Sequence, residues 1–277
     1  MAILSISNEF KSGATEIGQA IEKQLGYEFL SQSRIMHEAS AAGKEWARFS
    51  VDYGQAMPTL WERYDWSFMG FMALIQSIIL DHAQKDNIVI MSRGANYLLR
   101  GIPHILKIRI AAPLEKRIER IMTQESLSWE TARLLVKKAD YEITSAIQQI
   151  YGKKWDDPSA YEIRFDTSLQ PHEQIIESIK SLLIAKDHLK TQEAQQKLAM
   201  KALAARIKAR ILINPKFLIP TLEVEDTEAG IVLHGVARSI KEHQAIEEEV
   251  KKISGDTPVT CTIHYRGMMS VKPHRLA

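Results

Sequence analysis

The residues of this chain that could do chemistry begin with a turn near the N-terminus. Residues 3–7 form an apolar run that predicts a strand, and residues 19–25 have the spacing of an amphipathic helix. In such a turn, backbone N–H groups and the helix N-terminus can bind phosphate oxygens, and a lysine after the glycines neutralises their charge. Thr15 stands where that lysine is expected. The pattern alone leaves two alternatives, a phosphate-binding loop and a plain strand–turn–helix connection.

The donors that this turn retains are mostly backbone groups, because a side-chain substitution does not remove a backbone N–H group. Ala14 allows a ligand to approach closely but tolerates positive φ less well than glycine, and Thr15 supplies only a hydroxyl. Lys11 would replace the missing cation if it bent back over the turn, whereas a solvated lysine is the simpler interpretation. The candidate phosphate-binding residues are Lys11, Ser12, Gly13, Ala14, Thr15 and Glu16.

A second candidate group follows a strand in the middle of the chain. The apolar run at residues 88–91 is typical of a buried strand in a parallel sheet, and residues 105–110 predict another. Strands that alternate with helices indicate an α/β fold with right-handed crossovers, in which ligands bind at the carboxyl ends of the strands. Arg93 lies there, and its planar guanidinium suits bidentate binding of phosphate; a structural salt bridge is the alternative.

Two motifs connect these residues to a known family. The first has the form Ser-Arg-Glu-Phe-Gly-Ser-Gly-Gly-Arg-Glu-Ile-Gly, and the second reads Gly-x-x-Trp-x-Asp-Pro-x-x-Tyr before a strand that ends in Asn-Thr or Asp-Thr. On both, residues 1 to about 185 resemble the cytidylate-kinase-like branch of the P-loop nucleoside monophosphate kinases. The matching residues are Ser7, Glu9, Phe10, Ser12, Gly13, Glu16, Ile17 and Gly18 in the first motif and Gly152, Trp155, Asp157, Pro158, Tyr161, Asp166 and Thr167 in the second.

The resemblance implies a P-loop NTPase-type parallel sheet flanked by helices, and transfer of the ATP γ-phosphoryl group to CMP or a similar acceptor. It implies ATP and Mg²⁺ as cofactors if the protein is an active kinase. It makes Arg93 the catalytic candidate that binds the acceptor monophosphate, with weaker roles in nucleotide binding for Asn96 and Arg100. The lid candidates are Arg117, Arg120, Lys137 and Asp140. The three bases among them are more simply interpreted as charges on helix surfaces.

Three departures from the family pattern affect the loop that binds the phosphate donor, the region that binds the acceptor nucleotide, and the lid. Thr15 replaces the basic residue of the first motif, residues 31–33 lack an acidic and basic pair of the acceptor region, and residues 141–145 after Asp140 contain no base. These losses predict a nucleotide-binding protein with a degenerate phosphate loop, regulatory or sensor-like, with weak or absent kinase activity. The alternative is an active ATP-dependent nucleoside monophosphate kinase of the CMP type.

The chain continues with a helical segment and a second, smaller unit. Residues 172–214 contain no glycine or proline, which predicts one long helix or two consecutive helices that act as a spacer or a dimer seam. The next residues predict an α+β unit with the order αββαβ, which resembles the BON domain. The predicted organisation is a P-loop domain at 1–185, a helical linker at 186–200, a BON-like domain at 201–268 and a tail at 269–277.

Composition and charge limit the remaining function classes. With 45% hydrophobic and 25% charged residues the chain is an ordinary globular protein, and its net charge of +2 is too small to indicate nucleic acid by itself. The single cysteine, Cys261, excludes a disulfide framework. No apolar run is long enough to span a bilayer, so we expect a cytoplasmic protein.

The expected partners follow from the same features. A nucleotide such as ATP or CMP is the predicted ligand, and the helical segment or the BON-like domain could bind a protein partner or a second copy. The helical segment is basic in its second half, where a solvated face is favoured over a surface for an anionic partner; the sequence argues against lipid and nucleic acid. No metal site is predicted, because His37, His82, His104 and His172 are scattered without ligand spacing.

Overall fold

The computed structural model describes residues 2–44, 46–47, 49–50, 66–219 and 221–265. Its larger sheet has five parallel strands in the order β2-β3-β1-β4-β5. The strands are β1 (Ile3–Asn8), β2 (Glu28–Ser31), β3 (Ile88–Met91), β4 (Ile105–Ala111) and β5 (Ile163–Asp166). Because β1 is the central strand, the turn that follows it emerges at the middle of the carboxyl edge. The predicted α/β fold with a parallel sheet is confirmed.

Helices cover both faces of this sheet, as a parallel sheet requires. They are α1 (Ala14–Leu25), α2 (Gln32–Ala41), α3 (Trp66–Ala83), α4 (Ala95–Leu98), α5 (Leu114–Glu125), α6 (Trp129–Tyr151) and α7 (His172–Asp187). On one face, Ile17 of α1 and Ile175 of α7 share a core with Leu4 of β1. On the other face, α2 and α3 contribute Ile35 and Phe71 to a second core. Within the described ranges, every helix is too short or too polar to span a bilayer.

Helices α5 and α6 form a hairpin beside the carboxyl edge of the sheet. Ser128 caps α6, because its Oγ accepts a hydrogen bond from Thr131 N at 3.3 Å. The small core of this hairpin contains Ile118 and Val136, and Phe10 from the turn after β1 packs against it. The turn is therefore held by the hairpin as well as by the sheet.

After α7 the chain forms the predicted αββαβ unit. Its elements are α8 (Gln192–Leu212), β6 (Glu223–Thr227), β7 (Gly230–Ala237), α9 (Ile240–Ser254) and β8 (Val259–Tyr265). The central strand β7 is antiparallel to β6 and parallel to β8. Ser239 Oγ caps α9 by accepting from Glu242 N at 3.2 Å, and the Glu242 carboxylate accepts from Leu218 N at 2.8 Å, which ties α9 to the segment before β6. The BON resemblance itself stays a prediction.

The helical segment between the halves is two helices, the second of the alternatives that the sequence left open. α7 ends at Asp187, and Thr191 caps α8 by accepting a hydrogen bond from Ala194 N at 3.2 Å. α8 is packed along its length, since Leu198 is buried in the core beside α3 and Ile207 is buried in the core of the C-terminal unit. The expectation of a spacer is therefore wrong for α8, which both halves share. The domain boundaries stay predictions.

Most basic residues of this segment are paired with acids of the same chain. These ion pairs connect the segment to the residue before β5, to α3 and the turn after it, and to the C-terminal unit. A cation that is already paired offers less to an anionic partner. The pairs are Lys186–Glu162, Lys190–Asp86, Lys201–Asp226, Arg206–Asp81, Lys208–Glu223 and Arg210–Glu249, with N–O distances from 2.6 to 4.0 Å.

We expect Leu198→Ala to lower the free energy of unfolding by about 2–4 kcal/mol, because it leaves a cavity between α8 and α3. Leu198 is 2% exposed. Urea denaturation measures the change. The matched control is Leu189→Ala, since Leu189 lies in the break between the two helices and is 44% exposed. A loss no larger than that of the control would contradict the packing of α8.

Candidate functional site

The turn after β1, residues 9–13, leads into α1 through Gly13, which is the N-cap and has a φ of +90°. Within the turn, Ser12 N donates to Glu9 O at 3.1 Å. Gly13 has no side chain that could cap α1, and no other described residue provides a side-chain hydrogen bond at this cap. The first backbone N–H groups of a helix have no acceptor within the helix, so those of residues 14–16 are available to an anion.

A cavity of about 480 Å³ lies against this turn, within the size range of small-molecule sites. The positive φ of Gly13 favours glycine, and a Cβ there would lie 2.7 Å from His172 Nε2, so the imidazole would have to move. The cavity is lined by all the predicted loop residues, 11–16, together with Asn8, Phe10, Arg120, Gln124 and His172. The structure therefore brings the predicted phosphate-binding group together around one open space.

Arg120 and Thr167 hold the backbone of the turn in place. Arg120 donates from Nη1 to Lys11 O at 3.0 Å and from Nη2 to Thr167 Oγ1 at 3.1 Å. Thr167 Oγ1 in turn donates to Ser12 O at 2.7 Å. In the Asp-Thr pair at the end of β5, the threonine is therefore the residue that binds the turn, through the carbonyl of Ser12.

Glu9 is the centre of a buried cluster of charges beneath the turn. Its Oε1 accepts from Arg109 Nη2 at 3.1 Å, and its Oε2 accepts from Ala112 N at 3.1 Å. Arg117 Nε lies 3.6 Å from Oε2, and Arg164 Nη2 lies 3.8 Å from Oε1. The Glu9 side chain is only 12% exposed. One carboxylate thus balances several guanidinium groups and fixes the start of the turn to the end of β4.

Arg109 extends this cluster to the segment before β5. It donates from Nη1 to Trp155 O at 2.5 Å, and its guanidinium lies 4.2 Å from the centre of the Trp155 ring. Trp155 Nε1 donates to Ser7 Oγ at 3.0 Å, and Tyr161 Oη donates to Trp155 O at 2.7 Å. The tryptophan and tyrosine of the second motif therefore anchor this segment across the ends of β1 and β4.

Arg117 is a buried residue, and its interpretation as a charge on a helix surface is wrong. It is 6% exposed and forms a bidentate pair with Asp140, in which both N–O distances are 2.8 Å. Its Nε also donates to Ala112 O at 3.0 Å. The pair joins α5 to α6. Lys137 is exposed on α6. The lid roles of Arg117, Arg120, Lys137 and Asp140 stay predictions.

Lys11 does not bend back over the turn. Its Nζ donates to Gln124 Oε1 at 2.7 Å and lies 3.2 Å from Glu125 Oε1, at the end of α5. The backbone of Lys11 has a φ of 60°, which directs the turn toward that helix. The structure therefore places the Lys11 ammonium group at the end of α5, and the role of Lys11 in phosphate binding stays a prediction.

Arg93 lies directly after β3 at the carboxyl edge of the sheet, as the sequence predicted, and it is half-buried. Its backbone N–H and Ser92 Oγ both donate to Gln32 Oε1, at 3.4 and 2.9 Å. These bonds bring the start of α2 beside Arg93. Residues 31–33, where the family's acidic and basic pair is missing, therefore belong to the same end of the sheet. Anion binding by Arg93 stays a prediction.

Asn96 and Arg100 line a second and smaller cavity, of about 130 Å³. Asn96 is buried on α4, whereas Arg100 is exposed. In the same wall, burial raises the pKa of Tyr97 to about 12, so the hydroxyl stays protonated and donates to Lys154 O at 2.5 Å. The residues that line this cavity do not include the loop 11–16. The structure thus separates Asn96 and Arg100 from the phosphate-binding group.

Sequence reasoning missed two residues of this site, His172 and Arg109. Judged by its separation from the other histidines in the sequence, His172 is one of several scattered histidines. Its position shortly after the end of β5 is the signal that could identify it, because residues that follow a parallel strand lie at the carboxyl edge. From the sequence alone, Arg109 is only a charged residue within an otherwise largely apolar strand. Its partner Glu9 lies far away in the sequence, and only the parallel pairing of β1 with β4 brings them together.

Comparison with known proteins identifies the family. Residues 3–169 match the model of the cytidylate kinase-like family, and the chain belongs to that family. The cytidylate kinase of Pyrococcus abyssi is 23% identical over 188 residues, which cover 68% of this chain and 94% of the relative. The cytidylate kinase of Ignicoccus hospitalis is 22% identical over 192 residues, which cover 66% of this chain and 100% of the relative.

A solved structure shares the fold. The crystal structure of an uncharacterized protein from Eubacterium ventriosum matches with a TM-score of 0.53 at 17% sequence identity, over 66% of this chain and 98% of that one. The family match ends at residue 169, so it includes the larger sheet and the turn, while α7, α8 and the C-terminal sheet follow it in the chain.

We expect Glu9→Gln to lower the free energy of unfolding by about 3 kcal/mol, because Arg109 and Arg117 would remain buried without this carboxylate. Urea denaturation measures the effect. Glu119→Gln is the control: Glu119 pairs with Lys116 on the surface of α5 and is 61% exposed, so its loss should change stability by less than about 1 kcal/mol. Equal effects in the two variants would show that the Glu9 cluster does not hold the turn.

Proposed function

We propose that this protein binds a nucleotide through residues 11–16, transfers phosphoryl groups weakly or not at all, and acts as a regulatory or sensor protein. One observation carries the proposal: the cavity beside the turn is open and retains its backbone donors, while Lys11 and Arg117 are bound to acids of the protein. Family membership supports nucleotide binding, and the relatives' names make ATP and CMP the ligands to test.

Nucleotide binding at this turn needs few side chains. The N-terminus of α1 carries the positive end of the helix dipole, and its first N–H groups have no capping side chain. These donors belong to the backbone, so replacing the side chains at positions 14 and 15 leaves them in place. Arg120 also lines the cavity and adds a positive charge. A phosphate chain is therefore the ligand group that the site suits.

Phosphoryl transfer requires more than binding, because the transition state is stabilised by positioned cations. Thr15 supplies a hydroxyl in place of a charge, and losing one such group typically costs about 3–4 kcal/mol of transition-state stabilisation. Lys11 could serve only by leaving Gln124 and Glu125. Arg117 could serve only by leaving Asp140. The site therefore favours binding over turnover.

Mg²⁺ fits the same site as a companion of ATP and not as a metal held by the protein alone. In the part of the chain that the structure describes, no three His, Cys, Asp or Glu side chains form a group that could hold a metal ion. Mg²⁺ bound with a nucleotide takes only one or two protein oxygens, and Thr15 and Glu16 present a hydroxyl and a carboxylate on the cavity wall. When bound, the ion would neutralise phosphate charge.

The second candidate function is an active ATP-dependent kinase of the CMP type. The position of Arg93 favours it, because an arginine directly after β3 lies at the carboxyl edge where an acceptor phosphate would be bound. The names of the relatives also favour it. In this case Arg93 binds the acceptor and the turn binds the donor.

We further propose that the C-terminal αββαβ unit is a BON-like domain that binds a protein partner or a second copy, in the cytoplasm. Its element order supports the resemblance, and its attachment through α8 connects it to the core beside the larger sheet. Lipid and nucleic acid are not proposed as partners, because the basic residues of α8 are largely paired within the chain.

Calorimetric titration with ATP and with CMP, followed by a coupled assay of ADP formation, tests these functions. Binding without turnover supports the sensor. Turnover at rates typical of kinases, about 1–100 s⁻¹, supports the active enzyme and ends the first proposal. Absence of both binding and turnover would contradict nucleotide binding altogether.

We expect Thr15→Lys to raise ATP turnover by about tenfold to a hundredfold, because it restores a positive charge at the start of α1. The coupled assay measures the gain. Thr262→Lys is the control, since it makes the same change at an exposed position of β8 in the C-terminal sheet. If both variants behave like the wild type while ATP still binds, the missing charge at Thr15 is not the limiting defect.

A further inference from the structure

His172 lines the cavity, lies beyond the family match, which ends at residue 169, and has no role in the sequence analysis. It is the first residue of α7, its side chain is half-buried, and it lines the cavity opposite the turn. Its Nε2 and Cε1 lie 2.7 and 2.9 Å from the place that a Cβ would take on Gly13. The imidazole therefore touches the part of the turn that leads into the first N–H groups of α1.

His172 also differs from the other bases of the cavity in its partners. Lys11 is bound to Gln124 and Glu125, and Arg120 is bound to Lys11 O and Thr167. His172 makes no hydrogen bond or ion pair with any residue that the structure describes. A half-buried imidazole in contact with an anion-binding turn, and without a protein partner, is available to a ligand.

Charged side chains of both signs line the cavity that contains His172. Histidine changes its charge between about pH 5 and pH 8, so a bound phosphate chain would favour the protonated imidazole. The charged groups that line the same cavity are Lys11, Glu16 and Arg120, while Glu173 is the next residue of α7 and Asp166 is the last residue of β5.

We propose that His172 binds the phosphate chain of the nucleotide and that its protonation strengthens this binding. The inference rests on the proposed nucleotide site and adds the group that gives it a pH dependence. His172 supplies, from α7, a positive charge that the turn itself lacks at Thr15. Because this charge depends on pH, the protein holds a nucleoside triphosphate more tightly in mildly acidic conditions than in mildly alkaline ones.

The test is the affinity for ATP of the wild type, His172→Gln and His172→Lys, measured by calorimetry between about pH 6 and pH 8. The terminal phosphate of ATP also titrates near pH 6, so the ratio of wild-type to variant affinity at each pH is the result that counts. We expect this ratio for His172→Gln to be about tenfold at the acidic end and to approach one at the alkaline end. His172→Lys should bind tightly throughout.

A matched control is His188→Gln, which removes an exposed histidine at the opposite end of α7. It should keep the wild-type pH dependence. If the wild type and His172→Gln keep a constant ratio across the range while both bind ATP, the role of His172 is refuted and the nucleotide site stands. If the wild type binds no ATP at any pH, the proposed function fails first.

Discussion

The structure of this site depends on one buried carboxylate. Glu9 follows the central strand, and its two oxygens bind Arg109 and the backbone of Ala112 while Arg117 approaches from α5. Burying several guanidinium groups without an acid would be strongly unfavourable. Glu9, together with the Asp140 that pairs with Arg117, compensates this burial and so links the turn, the end of β4 and the α5–α6 hairpin.

This arrangement explains how the turn keeps its position independently of the side chains at residues 14 and 15. The turn is held by Glu9 below and by Arg120 and Thr167 above, and these contacts use carbonyl groups and side chains other than those of residues 14 and 15. Substitutions at those two positions therefore alter the charge offered to a ligand without releasing the turn. The geometry of the turn and the charge that it offers to a ligand are therefore set by different residues.

Much of the fold could be predicted from local patterns. Apolar runs identified β1, β3 and β4, and the order αββαβ followed from alternation and capping residues. The predicted loop residues share one cavity. The rest depends on contacts between distant segments. The burial of Arg117 requires Asp140 on another helix, the packing of Leu198 requires α3, and the contact of His172 with Gly13 requires the sheet. Hydrophobic periodicity along the sequence does not predict these contacts, because their partners lie in distant segments.

The shared helix α8 sets a limit on how this protein can be divided. The family match ends at residue 169, yet Leu198 and Ala202 fill the core beside β1 and β3. A fragment cut at the family boundary would leave that apolar surface in contact with water and would be prone to aggregate. The two halves of the chain therefore share their cores through α8, and a cut at residue 169 would remove part of the core of the larger sheet.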